Sequence, residues 1–286
     1  MMKRRGLFFR KSTDAIIKLL SLVFVALALV VMFWILFTVC ARGIEAFGWA
    51  FFVEPTKPYG IPDGGIANAL LGTVFITLGA VVIGVPPGIL GGIYLSEFAR
   101  DNVFGNVIRF SANVMMGIPS IICGLFVYAM LVFTTGHFSG FAGSVALSVI
   151  MFPVILRTTE DMLRMVPDSL RESALAIGMP RWRATFSVIC RAARSGLVTG
   201  VLLAIARVSG ETAPLLFTAL WSDDWPFKFF SQPTANLTVT INEYATNSPF
   251  QIMHTRAWGA ALVITVIILL LNISCRIIFK NKEHTS

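Results

Sequence analysis

The chain has 286 residues, of which 56% are hydrophobic and 13% charged. Soluble domains carry about 25% charged residues, so this composition leaves too little polar surface to coat a water-soluble globule. The net charge of +8 gathers around the ends of long apolar runs, which marks membrane topology rather than a nucleic-acid partner.

In chain order, the first apolar run is Leu19 to Ala41, uncharged and long enough to cross a bilayer. It is too long for a signal-peptide core and lacks a clear small-residue cleavage site, so it reads as a retained first helix within an N-terminal region 1–65. Residues 66–96 form a second uncharged stretch. Pro86 and Pro87 remove two backbone donors there and predict a bend or break. Gly88, Gly91 and Gly92 follow and permit close helix contact. Residues 110–156 carry no charge, and the polar run from Thr134 to Gly140 divides them into helices over 110–133 and 141–156. Pro119 and Pro153 predict local kinks inside those helices. Residues 157–195 are rich in charge, and 196–220 are apolar again except for Arg207 and Glu211. Residues 221–256 mix aromatic and polar side chains, and their pattern leaves open whether they hold an interfacial helix. Ala257 to Cys275 is the last uncharged span. The expected fold is an all-α, polytopic membrane protein with about six spanning helices.

Cys40, Cys123, Cys190 and Cys275 are far apart, as are His137, His254 and His284, so they read as packing residues and no metal site is expected. Basic residues fix an orientation. Lys3, Arg4, Arg5, Arg10, Lys11 and Lys18 precede the first span, Arg100 and Arg109 follow the second, seven arginines lie in 157–195, and three basic residues close the chain. The opposite side has only Arg42, Lys57, Lys228 and Arg256. The positive-inside rule then puts both termini and the 157–195 loop in the cytoplasm, which requires an even number of spans.

Within that loop, Pro167 suits a first helical turn, Asp168 complements the helix dipole, and Gly178 followed by Pro180 writes a stop. The predicted short helix places Leu170, Ala174 and Ile177 on one face. Such an apolar stripe outside the membrane packs on the protein's own helix ends, lies on lipid, or seats in a partner. Glu172-Ser173-Ala174-x-x-x-Gly178 resembles the coupling motif of permease subunits in ATP-binding-cassette importers, with Ser173 where alanine is usual and a diverged second half at Val188 to Arg191. The resemblance implies a type I (MetI-like) permease core over 66–279, a cytoplasmic tail 280–286, and a coupling helix that seats on an ATPase subunit.

In the fifth span, Arg207 precedes Glu211 by four residues, which predicts pairing on one helical face. An arginine in a bilayer core is costly. It serves either as half of a structural ion pair or as a guanidinium offered to an oxyanion along a translocation path. The string from Ala206 to Ala219, together with Gly92 to Phe98, Ile118 to Tyr128, Ala235 to Ile241 and Leu269 to Ile273, resembles the permeases of bacterial phosphate importers. That resemblance implies four kinds of partner: a second, sibling permease, two copies of an ATP-binding subunit, a phosphate-binding protein outside, and membrane lipid. The same fold serves the sibling permease and permeases for other oxyanions. From a different class, a secondary transporter or channel also explains the spans. No Gly-Lys pair occurs, so the phosphate loop of ATPases is absent. The chain is expected to be non-catalytic and to bind no cofactor.

Overall fold

The computed structural model describes residues 7–61 and 63–280, all helix, turn and loop with no strand among them. Lys3, Arg4, Arg5, Lys282 and His284, and the tail 280–286 beyond Lys280, lie outside the described residues.

Helix α1 (Leu7–Ile44) is about 57 Å long, and its apolar span is wholly unburied by the rest of the chain. It meets the bundle near its end. A Cβ on Gly43 would lie 2.7 Å from Leu262 Cβ and 2.9 Å from the Trp258 carbonyl, and Arg42 sits over the Trp258 ring at 5.3 Å.

Helix α2 (Ala67–Ile93) runs unbroken through Pro86 and Pro87, against the expected bend or break. Both prolines are exposed, on the side away from the packing face. The opposite face carries Gly84, Gly88 and Gly92 at four-residue spacing and is pressed against a later helix. That contact holds the axis where the two backbone donors are missing.

Helix α3 (Val103–Gly117) and helix α4 (Ser120–Val127) are set 102° apart. Sequence predicts only a kink at Pro119, but the helix is broken there. Ile118 is forced out of the helical region by the proline after it (ψ 132°), and Pro119 is itself extended (ψ 135°), so two consecutive residues leave the helix. After Val127 a π-helical turn carries α4 on to Thr135.

Helix α5 (Gly140–Arg164) outruns its expected end at 156 by two turns. The added turns are held by i,i+3 and i,i+4 pairs from Arg157 and Arg164 to Glu160. Helix α5 packs along α2, and the core lies where Ile76 and Ala80 of α2 meet Leu147, Met151 and Ile155 of α5.

The short helix α6 (Asp168–Ala176) follows. After it, residues 181–192 bend by 73° into helix α7 (Arg194–Val208), whose Ala204 and Val208 complete the core. The expected fifth span through Leu220 stops at Val208. Residues beyond Ser209 turn back, form one helical turn at Ala213–Leu216, and lead into loops.

Helix α8 (Leu237–Thr246) is deeply buried, with Leu237, Val239, Thr240 and Tyr244 inaccessible. Residues 221–256 therefore do contain a helix, and it is an internal one. The Asn236 side chain accepts from the Val239 N–H at 3.0 Å, capping it. Helix α9 (Gln251–Lys280) closes the bundle. Four helices are long and apolar enough to cross a membrane, or up to six if each bent pair counts as one span.

Candidate functional site: a mid-bundle cavity and a short exposed helix

Midway along α5, the break at Pro119 opens a cavity of about 210 Å³. Its walls include Ser120, Cys123, Ile150 and Val154, together with Arg207 and Glu211. The structure thus brings the two charged residues to one cavity, but not into the pair that their spacing predicts. Helix α7 ends at Val208 and Glu211 lies in the turn beyond it, so the two no longer share a helical face. Among the described residues Arg207 forms no ion pair. The turn is held by the Thr238 hydroxyl, which donates to the Glu211 carbonyl at 3.0 Å.

Ser120 was not singled out by sequence. It starts α4 directly after the break and faces the same cavity as the guanidinium. The signal was present in Gly117-Ile118-Pro119-Ser120, where a residue barred from the helical region precedes a proline and a helix-starting serine follows.

At the far end of α5 stands the predicted short helix. Gly178 has φ +83°, Met179 N–H donates to the Ala174 carbonyl at 3.3 Å and Gly178 N–H to the Leu175 carbonyl at 2.9 Å. This is the paired 6→1 and 5→2 arrangement of a Schellman stop. Of the apolar stripe, Ala174 is buried, whereas Leu170 is 37% and Ile177 74% exposed. The chain's own helix ends therefore cover only part of the stripe. Glu172 is exposed, and so is Ser173, whose hydroxyl donates back to the Ser169 carbonyl. At the helix start Arg100 donates to Asp168 at 2.9 Å. That bond, with the nearby charges of Arg100 and Arg171, holds the Asp168 carboxyl below the usual carboxylate range.

Two further charge clusters lie near this end, and sequence reading passed over both because their members sit in different segments. Glu160 is wholly buried and takes Arg109 at 2.6 Å, Arg164 at 2.9 Å and Arg157 as well. These charges lie just outside the apolar spans read from sequence, at residues 109 and 157–164, yet Glu160 among them is fully buried. Glu97, just past α2, receives Arg171 from α6 at 3.0 Å. No group of three or more His, Cys, Asp or Glu side chains is placed to hold a metal among the described residues.

Comparison with known proteins adds the following. Residues 88–283 match the family model described as binding-protein-dependent transport system inner membrane component. The chain is 44% identical over 282 residues to a phosphate transport system permease protein PstA of Yersinia pestis, covering 99% of this chain and 95% of that one. It is 44% identical to the protein of the same name in Haemophilus influenzae, covering 96% and 97%. A solved structure of the MetNI methionine ABC transporter in an inward-facing conformation superposes with a TM-score of 0.58 at 19% identity, over 75% of this chain and 92% of that chain. At that identity the likeness concerns the fold alone.

Proposed function

The chain belongs to the binding-protein-dependent transport system inner membrane components, and from that premise we propose that it is one permease half of an ATP-driven importer carrying inorganic phosphate across a bacterial inner membrane. The names of relatives that match it over nearly their whole length support phosphate over other oxyanions. On this reading a sibling permease completes the path, two ATP-binding subunits dock at α6, and a phosphate-binding protein delivers cargo at the opposite end. Hydrolysis belongs to the ATP-binding subunits. This chain supplies no catalytic group and binds no cofactor or metal of its own. Both termini and α6 face the cytoplasm.

The observation that carries the cargo assignment is that Arg207 lines a mid-bundle cavity and, among the described residues, has no carboxylate in bonding range. A guanidinium so placed keeps its forked donors free for phosphate oxygens. Glu211 borders the same space without closing on it. Its negative charge offsets the cation at a distance, which lowers the cost of the empty state without occupying the donors. Ser120 adds a hydroxyl at the same wall. Alternation of access follows from the partner's ATP cycle, because cargo shifts such an equilibrium only through unequal affinity for the two states.

Uptake of radiolabelled phosphate into cells lacking their own copy of this subunit tests the proposal. The chain restores uptake, Arg207→Ala lowers it by at least about tenfold, and Arg207→Lys falls between because a point charge replaces the fork. Full uptake with Arg207→Ala would end the substrate role of this residue.

A further inference from the structure

We propose that Arg171 and Glu97 form the mechanical joint by which the docking helix moves the membrane bundle, so that Arg171 is a positioning residue for coupling and not for docking. This rests on the reading of α6 as the ATPase-docking element.

The guanidinium of Arg171 is saturated. Nε and Nη2 donate to the Glu97 carboxylate at 3.0–3.3 Å, Nη2 donates to the Leu163 carbonyl at 2.6 Å, and Nη1 donates to the Val166 carbonyl and to Asp168. One side chain on α6 thereby grips the turn just past α2 through Glu97, the last turn of α5 through Leu163, and the link after α5 through Val166. Those are the two helices whose contact builds the core, and α5 also lines the cavity through Ile150 and Val154. Both partners are shielded, with side chains 12% and 8% exposed. Solvent screening is weak there, and the fork fixes direction as well as distance. The neighbouring residue, Glu172, is exposed on the same helix. Adjacent positions thus divide the work: Glu172, Leu170 and Ile177 present a surface outward, while Arg171 anchors inward. Without the anchor, α6 stays bound to its partner but swings on the loops at either end, and its displacement no longer reaches α2 and α5.

The test uses the complete transporter, with sibling permease, ATP-binding subunits and binding protein, reconstituted in liposomes. Phosphate transported per ATP hydrolysed is measured together with ATPase-subunit retention on purification. Arg171→Gln and Glu97→Gln are each expected to retain the ATPase subunit and basal hydrolysis while transport per ATP falls about tenfold. The double variant is expected to be no worse than either single one, because both remove the same joint. Arg157→Gln, which disturbs the Glu160 cluster without touching α6 or the turn that carries Glu97, serves as control and keeps the wild-type ratio. If Arg171→Gln fails to assemble, Glu97→Gln carries the test. A wild-type ratio in an assembled Glu97→Gln complex, loss of the ATPase subunit in it, or additive losses in the double variant would each overturn the joint. Failure of the underlying reading shows separately, as a wild-type complex with no phosphate-dependent ATP turnover.

Discussion

Glu160 is fully buried beneath Arg109, Arg157 and Arg164. Replacing it with glutamine leaves those arginines without their shared carboxylate. A loss of roughly 3–5 kcal/mol of stability is expected, as for breaking a buried ion pair from one side. The check is a lower thermal midpoint of the purified complex in detergent. The cluster joins α3 to α5, and none of its members is remarkable by itself in the sequence. By contrast Arg207 was legible at once, because an arginine within an apolar run is costly and rare. Its pairing with Glu211 was misread for a local reason. Four-residue spacing implies contact only if the helix persists, and Gly210 follows the point where it stops. Asp168 gives a pH prediction at the same scale. Its carboxyl is held below its ordinary range, so the stability it lends α6 is present at neutral pH, above the unfolded value. That stability is lost as acid takes the pH down through the folded value. Hydrogen exchange of the 168–176 amides is expected to quicken on acidification in wild type and to change less in Asp168→Asn.

At the scale of elements, proline taught the most. Pro86 and Pro87 lie on the exposed side of a helix whose glycine face is locked against α5, and the helix continues. Pro119 follows Gly117 and Ile118 with no such clamp on the α3 side, and the chain turns through 102°. Propensity identified both sites, while packing partners from distant sequence decided between kink, break and continuity. The glycine stripe itself was visible, and its purpose can be tested. A Cβ on Gly92 would lie 2.5 Å from Thr159 Cβ and 2.6 Å from the Leu156 carbonyl. Gly92→Val is therefore expected to force α2 and α5 apart at a cost of about 1–3 kcal/mol or more, read as loss of folded protein in the membrane fraction. The short helix α6 was legible nearly whole, since Pro167, Asp168 and Gly178 act locally. Gly178→Val places a β-branched residue at φ +83° and is expected to cost about 1–2 kcal/mol at that stop. Reduced co-purification of the ATPase subunit is the readout.

At the scale of the whole molecule, hydropathy located the long helices among the described residues, but it read the bent pair over 103–135 as one span and left the first arm of the other bent pair, 181–192, in a loop. Leu7 and Lys280 lie at the ends of α1 and α9 remote from the contact at Gly43 and Trp258. With α6 also at the end of α5 away from Gly140, an impermeant thiol reagent is expected to spare Ser173→Cys in intact cells and to label it in inverted vesicles. Labelling in intact cells would reverse the assigned orientation and remove the docking account with it. One close approach bears on how the cavity behaves during transport. Gly124 of α4 lies so near Pro214 that a Cβ would come within 2.5 Å of the proline Cα. The elbow at Pro119 and the strand of chain carrying Glu211 are thereby dovetailed. A displacement of that elbow would therefore carry the Glu211 segment along with it.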